Sequence, residues 1–317
     1  MATENDFMNL RRCKTPEIHE TWEVLDILTS NLSMATPEII VTNRATTLIS
    51  SMPVLAAQNT LISVDFCVRN GFLSDAFVLL RKYRDDLLLY LYLCYRAEDI
   101  GENPIEIEQP LSNGMSSDDF LEYVIEYLKE KQKRDSENKE KEIIEKWNNG
   151  DYTQNTPRDV KKTFGVAGYC STLSTVGEKD YGQDLEIKEV YQKIESCLTQ
   201  LGEELNNYVH VNAPDYLRCN GFLSVPQGKR KSNALYDMLQ KITIVFLSLL
   251  AMIKPTFFMA DDYIDILEIT GERIDGLQYR VPTGILGYLE KFADKVSPEI
   301  LEYINDHNPV GMKFVDK

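Results

Sequence analysis

Apolar residues recur at intervals of three and four positions along most of this chain. Ile18, Trp22, Leu25 and Leu28 show this spacing near the start, and it returns in segment after segment. Such a period is typical of amphipathic helices that bury one face. Helices are predicted over residues 16–32, 37–49, 55–69, 75–95, 118–147, 159–175, 187–209 and 234–253. The pattern therefore predicts an all-α protein, a helical bundle.

Only the C-terminal region departs from the helical period. Residues 264–269 and 277–281 are strand-like, the second with alternating apolar and polar side chains, and a turn-like stretch separates them. Alternation of this kind predicts a small β-hairpin near the C-terminus, although the first of the two segments could equally finish a helix.

A block of charged residues interrupts the most apolar part of one predicted helix. Arg81, Lys82, Arg84, Asp85 and Asp86 lie between Phe77-Val78-Leu79-Leu80 and a run that is apolar on every side. A helix that is apolar all round is enclosed by its neighbours, so these charges are expected to be partly buried. Because buried charges need partners, the block predicts an ion-pair network or a functional pocket.

The spacing within the block suggests which charges pair. Arg81 and Asp85 are four residues apart, as are Lys82 and Asp86. Arg84 has a leucine at the corresponding position, so it is available to a phosphate or to an acidic residue of another helix.

Residues 242–260 form the longest apolar segment. It reaches the roughly 20 residues of a membrane span only by including Lys254 and Pro255. The composition favours a buried core helix over a membrane-associated one, and no membrane partner is expected.

Composition narrows the possible functions. The formal net charge of -16 over 317 residues opposes a protein that coats nucleic acid or anionic membrane through its overall field. Six cysteines without CxxC spacing are typical of reduced thiols, and residues 1–13 contain no apolar signal segment, so a cytoplasmic location is expected. The sequence contains no recognised metal-ligand or cofactor motif, and neither a metal nor a cofactor is predicted.

Two charged segments are candidate contact surfaces. Lys229, Arg230 and Lys231 are predicted to form a basic loop that precedes a helix starting at Ala234, with Ser232 or Asn233 as its N-cap, and would contact phosphate or a partner. The helix over residues 118–147 begins with apolar residues and continues with interspersed charges of both signs. This pattern is typical of a solvated helix or hairpin that projects from the body.

His210 is the histidine with the most suggestive neighbours. Asn206 lies four residues earlier, on the polar side of the predicted helix. An amide in that position can fix the tautomer of a general base, whereas a histidine near a helix C-terminus is also common without any such role.

Two stretches together resemble a known superfamily. The residues Ala76-Phe77-Val78-Leu79-Leu80-Arg81-x-x-x-Asp85, and far downstream Asn206-x-x-x-His210-Val211-Asn212, resemble uncharacterised bacterial helical proteins related to the HEPN superfamily. The resemblance covers residues 60–97 and 187–253. It implies an all-helical, often dimeric bundle whose catalytic members are metal-independent ribonucleases with an R-polar-x-x-x-H motif.

The motif matches only in part. His210 stands at its histidine and Asn206 at its polar position, but Leu205 stands where the arginine belongs. Arg81 or Arg84 from the neighbouring helix would have to supply that cation. The resemblance thus implies His210, Asn206, Arg81 and Arg84 as catalytic candidates, while Asp85, Asn212, Lys229, Arg230 and Lys231 are candidates for binding a partner or phosphate.

These observations predict four regions and two functions. The regions are the N-terminal half of the bundle (1–100), a charged helical insertion with loops (101–180), the C-terminal half of the bundle (181–260) and a C-terminal extension (261–317). The expected function is that of a soluble interaction or regulatory protein, acting as a homodimer or with a protein partner, in bacterial stress response or phage defence as the resemblance suggests. The alternative is a metal-independent ribonuclease acting on RNA through His210.

Overall fold

A computed structural model describes most of the chain as helices. It describes residues 13–34, 38–41, 46–49, 52–100, 117–148, 173, 185–209, 214–220, 223–258, 271, 280–308 and 311–314. The elements are α1 (Pro16–Met34), β1 (Glu38–Val41), β2 (Thr46–Ile49), α2 (Met52–Arg69), α3 (Leu73–Ile100), α4 (Ser117–Asn148), α5 (Leu185–Val209), α6 (Pro214–Asn220), α7 (Val225–Ile253), α8 (Thr283–Phe292) and α9 (Ile300–His307), with short 3-10 turns at Pro255–Phe258 and Ala293–Lys295. The predicted all-α class is confirmed.

Helix α7 forms the centre of the bundle. It packs against α1, α3, α5, α8 and α9, and every side chain from Ile242 to Ile253 is buried. By length and composition it could cross a membrane, but 83% of its most apolar window is buried inside the protein. The apolar segment is thus enclosed by other helices, as predicted for a core helix.

Paired hydroxyl groups join the helices inside this core. The hydroxyl oxygens of Tyr83 on α3 and Thr243 on α7 lie 2.8 Å apart, and those of Thr21 on α1 and Tyr288 on α8 lie 2.9 Å apart. All four side chains are at most 2% exposed. Because buried hydroxyls need partners, these pairs favour one arrangement of the four helices.

The turn between α2 and α3 lies at Asn70-Gly71. Gly71 has a φ of 79°, the amide of Phe72 donates to the carbonyl of Cys67 at 2.8 Å, and the amide of Gly71 donates to that of Val68 at 3.1 Å. This is the Schellman arrangement, which ends a helix and lets the chain reverse.

The helix predicted over residues 37–49 is wrong. These residues contain an antiparallel pair of strands, in which Glu38 pairs with Ile49 and Val41 with Thr46. Both strands are rich in isoleucine, valine and threonine, which favour extended backbone because their branched Cβ restricts the side chain in a helix. Pro53 lies in the first turn of α2, where proline is tolerated.

The predicted basic loop at residues 228–231 is also wrong. Helix α7 begins at Val225, with Ser224 as its N-cap and Pro226 in its first turn. The backbone amide of Ser224 donates to Oε1 of Gln227 at 2.9 Å, so Gln227 stabilises the helix start. Lys229, Arg230 and Lys231 therefore belong to α7, and Ser232 and Asn233 are not caps.

The predicted C-terminal hairpin lies largely outside the described residues. Within the described part, Arg280 forms an isolated parallel bridge with Lys313. The predicted helix at 159–175 also lies outside them, except for Leu173, which is buried.

Candidate functional site

The charged block of α3 is an ion-pair network that faces α5. Arg84 is only 5% exposed, and its Nε and Nη2 donate to Oδ1 of Asp85 at 2.9 and 2.7 Å. Its Nη1 lies 3.3 Å from the place that a Cβ on Gly202 of α5 would occupy. The guanidinium group of Arg84 therefore rests on α5 where a glycine leaves room for it.

The other cations of the block lie nearer to solvent. Nε of Arg81 is 3.9 Å from Oδ2 of Asp85, and its side chain is 31% exposed against 6% for Arg84. Lys82 pairs with Asp86, and its Nζ also donates to Oγ1 of Thr60 on α2 at 3.1 Å. The expected burial and pairing of the block are thus observed, and Arg81 is the arginine that solvent reaches more freely.

Asp85 is the partly buried carboxylate that pairs with Arg84 and Arg81. Burial raises the pKa of its carboxyl group, and the nearby charges of Arg84 and Arg81 offset this only in part. The carboxylate accepts two hydrogen bonds from Arg84 and forms a longer ion pair with Arg81, so Arg84 is held more tightly than Arg81.

Two contacts define the relative direction and register of α3 and α5. The ring of Phe77 stacks on that of Tyr208 with centroids 3.7 Å apart, while Arg84 lies at Gly202. The helices are therefore antiparallel, and Arg81, between Phe77 and Arg84, lies at the level of Glu204 and Leu205, the latter adjacent to Asn206. Asn206 itself is exposed on α5.

The remaining residues of the predicted motif follow the end of α5. His210 and Asn212 lie outside the described residues, directly after Val209. The structure thus places Arg84 against the helix that contains Asn206, with Asp85 and Arg81 beside Arg84 on α3.

The basic residues at the start of α7, Lys229, Arg230 and Lys231, include one that contacts α5. Nζ of Lys231 on α7 donates to the hydroxyl of Tyr208 at 3.0 Å and to Oδ1 of Asp215 on α6 at 2.8 Å. Burial lowers the pKa of Lys231, but its bonds to Asp215 and Tyr208 more than compensate, and the pKa is raised. Lys231 therefore ties α7 to α5 and α6 as a cation, while Lys229 and Arg230 are exposed.

A cleft of about 510 Å³ lies on the other side of α5, and no sequence pattern indicated it. Lys193 of α5, Lys241 of α7 and Lys295 meet there. Lys193 pairs with Glu299 at 2.8 Å, whereas Lys241 and Lys295 share Asp237. The cleft is lined by Glu189, Gln192, Lys193, Ser196, Cys197, Gln200, Lys241, Lys295 and Val296.

The three lysines that line this cleft are all paired with carboxylates. Burial raises the pKa of Cys197 to about 11, so its side chain is a thiol at neutral pH. Among the described residues, no group of three or more His, Cys, Asp and Glu side chains is arranged to hold a metal ion.

Helix α4 presents an apolar surface to solvent. Leu121, Ile125 and Leu128, here called the α4 stripe, lie on one face of the helix and are 62%, 46% and 55% exposed. The predicted solvated helix is therefore a single long helix. Its spacing of four and three residues was visible in the sequence, but the exposure of that face was not.

The distal part of α4 is attached to the bundle. Oε1 of Glu140 accepts a hydrogen bond from Nε of Arg96 at 3.1 Å and another from the hydroxyl of Tyr92, both on α3. Ile143 and Ile144 are buried, at 7% and 2% exposure. The stripe thus lies on the part of α4 that precedes the attachment.

Comparison with family models, with curated proteins and with solved structures finds no match to this chain.

Proposed function

We propose that this protein is a protein-interaction module whose docking surface is the α4 stripe. The observation that supports the proposal is the exposure of three large aliphatic side chains on consecutive turns of one helix face. A cluster of this kind is unfavourable in water, and covering its remaining exposed area would stabilise a complex by about 3 kcal/mol.

The attachment of α4 makes the stripe suitable for docking. From Leu128 to Glu140 the helix extends about 18 Å, at 1.5 Å per residue. The contacts of Glu140 and the buried Ile144 hold the far end against α3. A preformed helix loses less conformational entropy on binding than a segment that must fold first.

Photocrosslinking tests this proposal directly. A photoreactive amino acid placed at Ile125 is expected to give an adduct of discrete mass in cells. Glu126 is the matched control, because it is exposed on the same turn but points away from the stripe. Adducts of equal yield at both positions, or at neither, would contradict the proposal.

The HEPN resemblance suggests where such a module would act. It suggests bacterial stress response or phage defence, in which a docking surface would regulate a partner. If Ile125→Glu fails to complement a deletion strain while Tyr123→Glu complements it, the stripe is linked to that role.

A second candidate function is a metal-independent ribonuclease. The observation in its favour is that α3 and α5 run antiparallel, with Arg81 at the level of Leu205, the residue before Asn206. Asn206 precedes His210 by four residues in the sequence. In this mechanism His210 would act as general acid or base, Asn206 would orient it, and Arg81 would hold the phosphate. Arg84, buried and bonded to Asp85, would support Arg81.

Cleavage of mixed structured and single-stranded RNA in the presence of EDTA tests this candidate. His210→Ala and Arg81→Ala are expected to abolish cleavage, whereas Arg218→Ala, at an arginine that is 72% exposed on α6, should not change it. No cleavage by the wild-type protein, or equal cleavage by all variants, would exclude the ribonuclease.

A further inference from the structure

We infer that the partner of the α4 stripe is the same stripe on a second copy of this chain, in antiparallel orientation. This inference rests on the proposed interaction function and names its partner. Three features of α4 support it: the spacing of the stripe, the charges beside it and the place where the helix is attached.

The spacing of the stripe is that of a helix-pairing seam. Leu121, Ile125 and Leu128 are separated by four and then three residues, as are the core positions of a coiled coil. In an antiparallel pair centred between Ile125 and Leu128, each Ile125 packs against Leu128 of the second copy. Because the pair has two-fold symmetry, this contact occurs twice in the dimer.

The charges beside the stripe distinguish the two orientations. Glu122 and Lys129 are both exposed and lie on the same flank of the stripe, seven residues apart. In an antiparallel pair this flank meets itself, so Glu122 faces Lys129 of the second copy at two symmetric positions. A parallel pair would instead place Lys129 opposite Val124 and make neither ion pair.

The attachment of α4 leaves room for a second bundle. Glu140 contacts α3 about 20 Å along the helix from the centre of the pair, so the two attachment points would be about 40 Å apart. The helix macrodipoles also favour the antiparallel arrangement.

The size of the stripe sets the strength of the association. Three aliphatic side chains from each copy bury less than the roughly 800 Å² per partner of a typical stable interface. A weak dimer whose population depends on protein concentration is therefore expected.

Sedimentation equilibrium over a wide range of concentrations tests the inference on the full chain. The wild-type mass should rise from monomer to dimer, and Ile125→Glu should remove the dimer. Because Ile125 is half-exposed, this variant should fold, which circular dichroism checks. Tyr123→Glu, exposed on the opposite face, is the matched control and should still form a dimer.

Charge reversal tests the orientation. Glu122→Lys should weaken association about tenfold, because the introduced cation of each copy would then lie near Lys129 of the other. Adding Lys129→Glu to that variant should restore it. Failure of the double variant to recover would overturn the antiparallel pairing.

The outcomes separate this inference from the proposed function. A chain that stays monomeric while the Ile125 photoprobe captures a different protein would overturn the second copy as partner and leave the interaction module intact. A dimer that persists in Ile125→Glu would overturn the inference as well. A monomer that gives no Ile125 adduct would overturn both.

Discussion

Gly202 occupies an interior position of α5, where alanine would favour the helix by about 1 kcal/mol. Its presence there is explained by Arg84, whose Nη1 lies 3.3 Å from the position of the missing Cβ. The same guanidinium group is held by Asp85 through Nε and Nη2, so it has little freedom to move away. Glycine at this position therefore lowers helix propensity but leaves room for a buried cation between two helices.

Gly202→Ala should consequently gain no stability. The gain in helix propensity is expected to be cancelled by displacement of Arg84, whereas Gly287→Ala on α8 should raise the free energy of unfolding by about 0.5–1 kcal/mol. Nothing lies within 4 Å of a Cβ at Gly287, which makes it the matched control. Urea unfolding measures both, and an equal gain at the two positions would show that Arg84 does not constrain Gly202.

Asp65 joins the start of α1 to α2. The side chain is 1% exposed, and its Oδ1 and Oδ2 accept hydrogen bonds from the amide of Thr15 and from Nε of Arg69, each at 2.8 Å. Burial raises the pKa of Asp65, but the hydrogen bonds from Thr15, Lys14 and Arg69 outweigh it, so the net pKa is lowered.

A lowered pKa means that ionised Asp65 stabilises the fold. Its contribution is complete above the unfolded-state pKa of about 4 and is lost as the pH falls through the lower pKa of the folded state. Asp65→Asn should therefore reduce the free energy of unfolding by about 1–3 kcal/mol at neutral pH. In acid the difference from wild type should shrink, which denaturant titrations at a series of pH values would show.

The control for this prediction is Asp294→Asn, at an exposed position, which should match wild type at neutral pH. A difference between Asp65→Asn and wild type that stayed constant down to the acid range would contradict an ionised, hydrogen-bonded Asp65.

At the scale of elements, the long helices could be predicted because each has an apolar face that repeats over many turns. The predicted helix over 187–209 corresponds to α5, whose apolar residues Ile194, Leu201 and Leu205 are buried. The short strands β1 and β2 could not be predicted with equal ease, since four residues are too few to separate a period of 2 from one of 3.6.

The start of α7 had a local signal that the basic run obscured. Ser224, Pro226 and Gln227 provide an N-cap, a first-turn proline and a side chain that reaches back to the cap. Because Gly228 and three basic residues follow, the composition suggested a loop. The capping residues therefore indicated the start of α7 more accurately than the local composition did.

The site contacts depended on tertiary structure. Helical spacing predicted Arg81 with Asp85, and that pair is present at 3.9 Å, but Arg84 makes the shorter bonds to the same carboxylate. Adjacent residues point about 100° apart on a helix, so helical spacing alone does not predict this contact. The cleft between α5 and α7 likewise joins lysines that are distant in sequence.

The turn between α2 and α3 allows an element-scale test. Gly71 has a φ of 79°, and nothing lies within 4 Å of a Cβ built there, so the only penalty for alanine is the left-handed backbone. Gly71→Ala should therefore lower the free energy of unfolding by about 1 kcal/mol. Gly71→Asn should lose less, because asparagine tolerates this conformation better. Thermal unfolding of the two variants compares them, and equal stability of Gly71→Ala and wild type would contradict the Schellman turn.

On the scale of the whole molecule, the described helices differ in how they are held. Helix α7 contacts five other helices and is buried from Ile242 to its end, whereas α4 is held by Glu140, Ile143 and Ile144 near one end. Amides protected by many packed neighbours exchange only when the whole bundle unfolds, and those of a peripheral helix exchange through local opening.

Leu247→Ala separates these two classes of amide. Leu247 is fully buried in α7, and its truncation should lower the free energy of global unfolding by about 2–5 kcal/mol. Native-state hydrogen exchange, at a concentration where the protein is monomeric, should then show the same loss of protection in α1, α3, α7 and α8. The amides around the α4 stripe should keep their wild-type exchange rates, since they already exchange through local opening that does not require unfolding of the core.

Leu128→Ala, an exposed truncation, is the control and should leave the exchange of the core amides unchanged. If protection of the stripe fell together with that of α7, α4 would be part of the cooperative bundle, and its apolar face would owe its stability to the core.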